Sequence, residues 1–92
     1  METSADLSQL LAIVSSLKNQ VLPQDLIVFG EIGLAGEIRP VPNGQERIKE
    51  AVKHGFSKAI VPKSNAPKGN IEGMEIKAVS NLQQALQVLS EI

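Results

Sequence analysis

Few side chains of this sequence could do covalent chemistry, and Ser4 is the most interesting of them. It stands at the start of the first predicted helix, where the positive end of the helix dipole favours negative charge developing on a serine oxygen. A serine nucleophile also needs a nearby base, without which its hydroxyl is inert. The commoner role of a serine at this position is the N-cap of the helix.

The residue types give little indication of a metal-binding or nucleotide-binding site. The chain has no cysteine and one histidine, His54, so neither a thiolate site nor a protein-only zinc site is expected. His54 falls at the polar end of a predicted helix, where a surface position suits the local dipole. The Gly-x-x-x-x-Gly-Lys-Ser/Thr pattern of a phosphate-binding loop is missing, so we expect no metal or cofactor in this chain.

Basic residues are concentrated in the middle of the chain. Seven of the nine lie between positions 39 and 68, where two acidic residues give a local net charge of +5, although the whole chain carries −1. Such asymmetry is typical of a surface that faces a polyanion. The alternative and simpler interpretation is an ordinary solvated surface. The residues that we expect to contact such a polyanion are Arg39, Arg47, Lys49 and Lys53.

Hydrophobic periodicity predicts the first helix of the domain that would carry these residues. It is expected to run from a cap at Thr3 or Ser4 to about Asn19, ahead of Pro23. Its predicted buried face, at the spacing of a 3.6-residue repeat, consists of Leu7, Leu10, Leu11, Val14 and Leu17.

Two strands are predicted next, and together they resemble a hairpin. Leu26–Ile32 is a short apolar run rich in β-branched residues, as in a buried strand. Glu37–Val41 is more polar, and Pro40 and Pro42 mark it as a sheet edge or as a strand that ends there.

The second half of the chain alternates between helices and strands. A helix over 43–55 is predicted from a capping-box-like Asn43–Glu46 pair and a stop at Gly55. A strand at 58–61, a loop at 63–73, a strand at 75–79 and a helix over 80–92, with a Ser80–Gln83 capping box, follow. The order α-β-β-α-β-β-α predicts an α/β or α+β layered fold.

The bulk composition is that of one small folded domain. The chain has 92 residues, of which 42% are hydrophobic and 2% aromatic, so its core must be aliphatic. The shortage of aromatic side chains argues against a protein that binds single strands by base stacking. No apolar run is long enough to span a membrane, and Glu2 and Asp6 stand where a signal peptide would be basic.

The segment GEIGLAGEIRPVPNGQERIKEAVKHGFSKAIVPKSN, from Gly30 to Asn65, resembles the core of the Lon-type proteolytic domain. It is more similar still to the version of that domain in the bacterial RadA (Sms) family of DNA-repair proteins. The runs FGEIGLAGEIRPV, NGQERIKEA and GFSKAIVP, with the opening TSADLSQLLAIVSSL, carry this resemblance over nearly the whole chain. We therefore expect residues 1–92 to be one Lon-like domain with a partial Lon-type fold, lacking the N-terminal strands, ATPase core and zinc motif of that family.

The resemblance implies a proteolytic dyad that this sequence does not complete. Lon-type proteases use a serine and a lysine, and Ser4 in Thr3-Ser4-Ala5-Asp6 matches the family's serine, while Gln45 falls on its lysine. An amide lacks the basicity to take a proton from a serine hydroxyl. Lys49, one helical turn further on, is not expected to replace the missing lysine. This chain is therefore not expected to be an enzyme.

Three hypotheses of function follow from the resemblance. The first is a scaffold and DNA-facing domain of a ring-forming, DNA-dependent ATPase of recombinational repair, in which the four basic residues named above would contact the DNA backbone. That cytoplasmic parent would use ATP, magnesium and zinc held outside this chain, and its partners would be further copies, DNA and a recombinase, with no membrane. The second is an ATP-dependent serine peptidase with Ser4 as nucleophile. The third is an assembly module without DNA contact.

Overall fold

The computed structural model describes residues 5–69 and 71–92, so Ser4 lies outside the described residues. Three helices pack around two small sheets in the described part. The helices are α1 (Leu7–Leu17), α2 (Gly44–Lys53) and α3 (Leu82–Glu91). The strands are β1 (Ala5–Asp6), β2 (Leu26–Val28), β3 (Glu31–Ile32), β4 (Ile38–Arg39), β5 (Lys58–Pro62) and β6 (Glu75–Val79), and a 3₁₀ turn covers Lys63–Asn65.

The larger sheet is parallel and has the strand order β2-β5-β6. Its register sets Val28 opposite Ile60, and Ile60 opposite Lys77. The smaller sheet is antiparallel, with β3 between β1 and β4. The predicted mixture of helices and strands in a layered α/β domain is confirmed.

The central strand β5 divides the core into two clusters. Ile60 is completely buried among Leu7 and Leu11 of α1 and Ala85 and Leu89 of α3. Alternate residues of the same strand point to the other face, where α2 contributes its buried side chains. This second cluster contains Phe29, Ile48, Ala51, Ala59, Val61 and Met74. The parallel sheet therefore lies between two helical layers.

The single strand predicted over Leu26–Ile32 is wrong, because the chain changes sheets in its middle. β2 pairs in parallel with β5, while β3 belongs to the antiparallel sheet, so the predicted hairpin is limited to β3 and β4. The change occurs at Gly30, whose φ is +141°. A Cβ there would lie 3.1 Å from Pro62 and 3.3 Å from Ile38, and both the dihedral and the crowding favour glycine.

The predicted helix starts and the first buried face also need correction. The cap of α1 is Asp6, whose Oδ1 accepts from Ser8 N–H at 2.8 Å, rather than Thr3 or Ser4. Leu17 is 80% exposed, because the apolar stripe of α1 is wider than the face that the sheet covers. At α2 the Asn43 side chain makes no capping hydrogen bond, and α3 is capped by Asn81 rather than Ser80. Gly55 ends α2 as predicted, with φ +89°.

Candidate nucleic-acid interface

The helix that carries most of the candidate DNA-contacting residues is anchored at its start by Asn65. The Asn65 side-chain amide accepts from Val41 N–H at 2.8 Å and donates to Val41 C=O at 3.0 Å. Gly44 begins the helix directly against this amide, where a Cβ would collide with Asn65. Ile48 and Ala51 then bury one face of α2 against the sheet. The opposite face is thereby held in contact with solvent.

Lys49 and Lys53 lie one turn apart on an exposed flank of α2. Gln45 precedes Lys49 by four residues and is exposed as well, so these three side chains form one row along the helix. The Lys53 ammonium lies 3.7 Å from a Glu50 carboxylate oxygen, with both side chains mostly in solvent. Such exposed pairs are weak, so a phosphate can compete with Glu50 for Lys53.

Arg47 points to a different side of the helix from the two lysines. Residues two positions apart on a helix do not share a face, and the Arg47 guanidinium carbon lies 5.9 Å from the centre of the Phe29 ring. That distance is within the range of a cation–π contact. Arg47 borders a shallow pocket with Glu50, His54 and Phe56. The three basic residues of α2 are therefore divided between two flanks.

Arg39 lies outside this helix, in β4 of the antiparallel sheet. Its guanidinium donates to a Glu37 carboxylate oxygen at 2.9 Å. The Arg39 hydrogen bond is the main cause that holds the pKa of Glu37 below its ordinary value. A phosphate approaching Arg39 would have to compete with the Glu37 carboxylate for the guanidinium. This ion pair is shorter than the one between Lys53 and Glu50.

His54 closes α2 at its C-cap, and its side chain is 69% exposed. The predicted surface position at the helix end is confirmed. Its Nε2 lies 3.7 Å from a Glu50 carboxylate oxygen, an ion pair only when the imidazole is protonated. His54 is therefore part of the helix surface.

Of the two positions matched to the Lon-type dyad, Gln45 lies within the described residues and Ser4 outside them. Gln45 is exposed in the first turn of α2. Ser4 lies outside the described residues, so the distance between the two side chains stays untested. An amide at position 45 offers hydrogen bonds but no base, as the sequence already indicates.

Two polar groups that position the elements were missed by the sequence reasoning. Asn65 was placed in a loop, although an amide in a short loop is a typical partner for backbone groups. At the other end of the sheet, the Ser57 hydroxyl donates to the Asp25 carboxylate. That hydrogen bond is the main cause that lowers the pKa of Asp25. Ser57 and Lys58 also donate their N–H groups to Asp25 C=O, at 2.9 and 3.1 Å.

The fold and its exposed basic helix define a small α/β domain. The family model described as Subunit ChlI of Mg-chelatase matches residues 2–65, and the chain belongs to that family. The chain is 65% identical over 91 residues to the DNA repair protein RadA of Escherichia coli, covering 99% of this chain and 20% of that protein.

Other relatives extend this similarity. The RadA protein of Haemophilus influenzae is 62% identical over 91 residues, 99% of this chain and 20% of that protein. That of Aquifex aeolicus is 50% identical over 88 residues, 96% of this chain and 19% of that protein. The resemblance to the RadA family is thus confirmed, and the chain spans about a fifth of the length of these relatives.

The three α-helices in residues 5–69 and 71–92 are 10 or 11 residues long. None of the helices in these ranges has the length and apolar character needed to cross a bilayer. The same ranges contain no group of three or more His, Cys, Asp and Glu side chains placed to hold a metal ion.

Proposed function

We propose that this chain is a non-proteolytic, Lon-like scaffold and DNA-facing domain of a RadA-type repair protein. The observation that carries the proposal is the exposed row of Lys49 and Lys53 on a helix whose other face is fixed in the core. Exposed lysines on a rigid element bind DNA through its phosphates, without reading sequence. The similarity to proteins named for DNA repair supports this choice of polyanion.

Within this proposal the larger protein is a DNA-dependent ATPase that processes recombination intermediates in the cytoplasm. Its further copies form a ring, and DNA and a recombinase are its partners. ATP, magnesium and zinc belong to other parts of that protein, because the residues here do not fit them. The chain has no cysteine, a single histidine and no phosphate-binding loop.

The peptidase alternative is disfavoured by Gln45. Serine attack on a peptide bond requires a group that accepts the hydroxyl proton. The side chain at the position matched to the family lysine is an amide, and Lys49 lies a full turn further along the exposed flank. The chain is accordingly proposed to bind and assemble rather than to catalyse.

Charge reversal on the lysine row tests the DNA-facing role. The double variant Lys49→Glu, Lys53→Glu should weaken binding to a fluorescein-labelled DNA duplex by about tenfold or more at low salt, equally for unrelated sequences, because phosphate contacts carry no sequence information. Fluorescence anisotropy measures the affinity.

The matched control for this test is Lys18→Glu, Lys77→Glu. It changes the net charge by the same amount at exposed positions outside the basic segment. The control should retain most of the wild-type affinity. Equal loss of binding in both double variants would show a general charge effect, and unchanged binding in the first would remove the lysine row from the interface.

A further inference from the structure

The exposed surface of α2 carries two adjacent rows of side chains with opposite electrostatic character. Gln45, Lys49 and Lys53 follow one another at intervals of four residues, and all three are exposed. Glu46 and Glu50, also exposed, stand one position after the first two and form an acidic row. Residues four apart share a face of a helix, whereas neighbours in sequence do not. An approaching polyanion is therefore attracted to the first row and repelled by the acidic row.

The first row is bounded on its other side by packed side chains. Val52, three residues after Lys49, lies on the side of the row away from the acidic row, because each residue turns the helix by about 100°. Val52 is half-buried and packs against the second core cluster, as do Ala66 and Ile71 from the segment after β5. The row is thus a strip of polar surface between packed apolar groups and carboxylates.

The length of this strip matches a short stretch of one DNA strand. At a rise of 1.5 Å per residue, the row from Gln45 to Lys53 is about 12 Å long. One strand of B-form DNA carries a phosphate for about every 3.4 Å of helix axis, so the row spans about three or four phosphates. The Gln45 amide offers two N–H donors, and glutamine is among the side chains that contact phosphate oxygens.

We propose that Gln45 is a third contact with the DNA backbone, and that one strand of the duplex runs along the row that it forms with Lys49 and Lys53. The acidic row marks the boundary of this contact towards Arg47. The inference rests on the proposed function, because it needs the contact made by the two lysines. It adds an uncharged contact, whose loss differs in its salt dependence from the loss of a lysine.

Removing the amide tests the third contact. Gln45→Ala should lower the affinity for a labelled duplex by about two- to tenfold, the effect of one lost hydrogen bond, as measured by fluorescence anisotropy. The slope of log K against log salt concentration should stay that of the wild type, because an uncharged side chain releases no counterions from DNA. Loss of affinity at an unchanged slope is the signature of this contact.

The matched control is Gln83→Ala on α3. Gln83 and Gln45 are both the exposed second residue of a ten-residue helix, but α3 packs on the opposite face of the parallel sheet. This variant should bind DNA as the wild type does. Affinity for DNA that is unchanged in Gln45→Ala, or lowered equally in both variants, would overturn the third contact.

A lysine at the same position gives a second readout with the opposite sign. Gln45→Lys should raise the affinity at low salt and steepen the slope by about 0.9, the contribution of one more neutralised phosphate. Gln83→Lys adds the same charge at the matched position of α3 and should leave the slope unchanged. Equal changes of slope in the two lysine variants would reduce the effect to net charge and overturn the proposed path of the strand.

The acidic row provides a test of the boundary. The Lys53 ammonium lies 3.7 Å from a Glu50 carboxylate oxygen, so Glu50→Gln should raise the affinity by about two- to fivefold, the scale of an exposed ion pair. Glu91→Gln makes the same change of charge at the exposed end of α3 and should have a smaller effect. Equal affinities of the two variants would overturn the boundary.

The double variant Lys49→Glu, Lys53→Glu separates this inference from the DNA-facing role. Loss of binding in that variant, without any effect of the substitutions at Gln45, would overturn the third contact alone. A wild-type chain without affinity for DNA at low salt would overturn the DNA-facing role, and the third contact with it.

Discussion

At the scale of single residues, Asn65 determines where the basic helix begins. Its side-chain amide accepts from Val41 N–H and donates to Val41 C=O, as the backbone of a neighbouring strand would. Val41 lies three residues before the start of α2. Gly44 is accommodated only because it has no side chain at this contact. The position of Lys49 and Lys53 relative to the sheet therefore depends on a loop residue whose role is to hydrogen-bond the backbone.

Truncating this amide should destabilise the domain. Asn65→Ala leaves the N–H and C=O of Val41 without their partner, a loss of about 1–3 kcal/mol in the free energy of unfolding. Urea denaturation followed by circular dichroism measures it. Ser64→Ala, at the exposed neighbouring position, should change the stability by less than about 0.5 kcal/mol. Similar stabilities for the two variants would contradict the anchoring role of Asn65.

Residue-scale features were predictable where they depend on local spacing and not where they depend on a distant partner. Gly55 could be identified as the end of α2 because the signal lies within the helix itself. Asn65 could not, since Val41 is 24 positions away and nothing in the sequence specifies that pairing. The same limit applies to Ser57 and Asp25, which are 32 positions apart.

At the scale of elements, the division of the predicted first strand is the main difference between expectation and structure. Leu26–Ile32 has the composition of one buried strand, but Gly30 bends the chain so that β2 and β3 enter different sheets. Composition predicts that such a segment is extended; it does not predict which neighbours it meets. The later strands β5 and β6 were predicted well, because Pro62 stands at the end of the first and Gly73 precedes the second. The helix α3 was also predicted, although its cap is Asn81 rather than Ser80.

The link between the starts of β2 and β5 should make stability depend on pH. The Ser57 hydroxyl bond lowers the pKa of Asp25 below its ordinary value of 3.8. The ionised carboxylate therefore stabilises the folded chain above that value, and this contribution is lost as pH falls through the lowered pKa. The difference in Tm between wild type and Ser57→Ala should be largest near neutral pH and shrink below about pH 4.

Ser90→Ala is the control for this pH series, because the Ser90 hydroxyl donates to a backbone carbonyl, that of Gln87 within α3, rather than to a carboxylate. Its effect on Tm should be the same across the series. A Ser57→Ala difference that stays constant from neutral to acid pH would contradict the role given to the Asp25 carboxylate.

At the scale of the whole molecule, a small and mostly aliphatic core holds a basic helix on one side of a parallel sheet. The fold class could be predicted because helix and strand periodicities alternate along the chain. The distribution of charge over the surface could not be predicted in the same way. Arg47 lies on a different flank of α2 from Lys49 and Lys53, and Arg39 forms an ion pair with Glu37. Of the four residues expected to contact DNA, the proposal therefore rests mainly on two, Lys49 and Lys53.

The most direct test of that contact is the salt dependence of duplex binding by the wild-type chain. Each phosphate neutralised on B-form DNA contributes about −0.9 to the slope of log K against log salt concentration. Contact through Lys49 and Lys53 predicts binding at low salt with a slope of about −2 or steeper. No measurable binding at low salt, or an affinity that does not change with salt, would contradict the DNA-facing role of this domain.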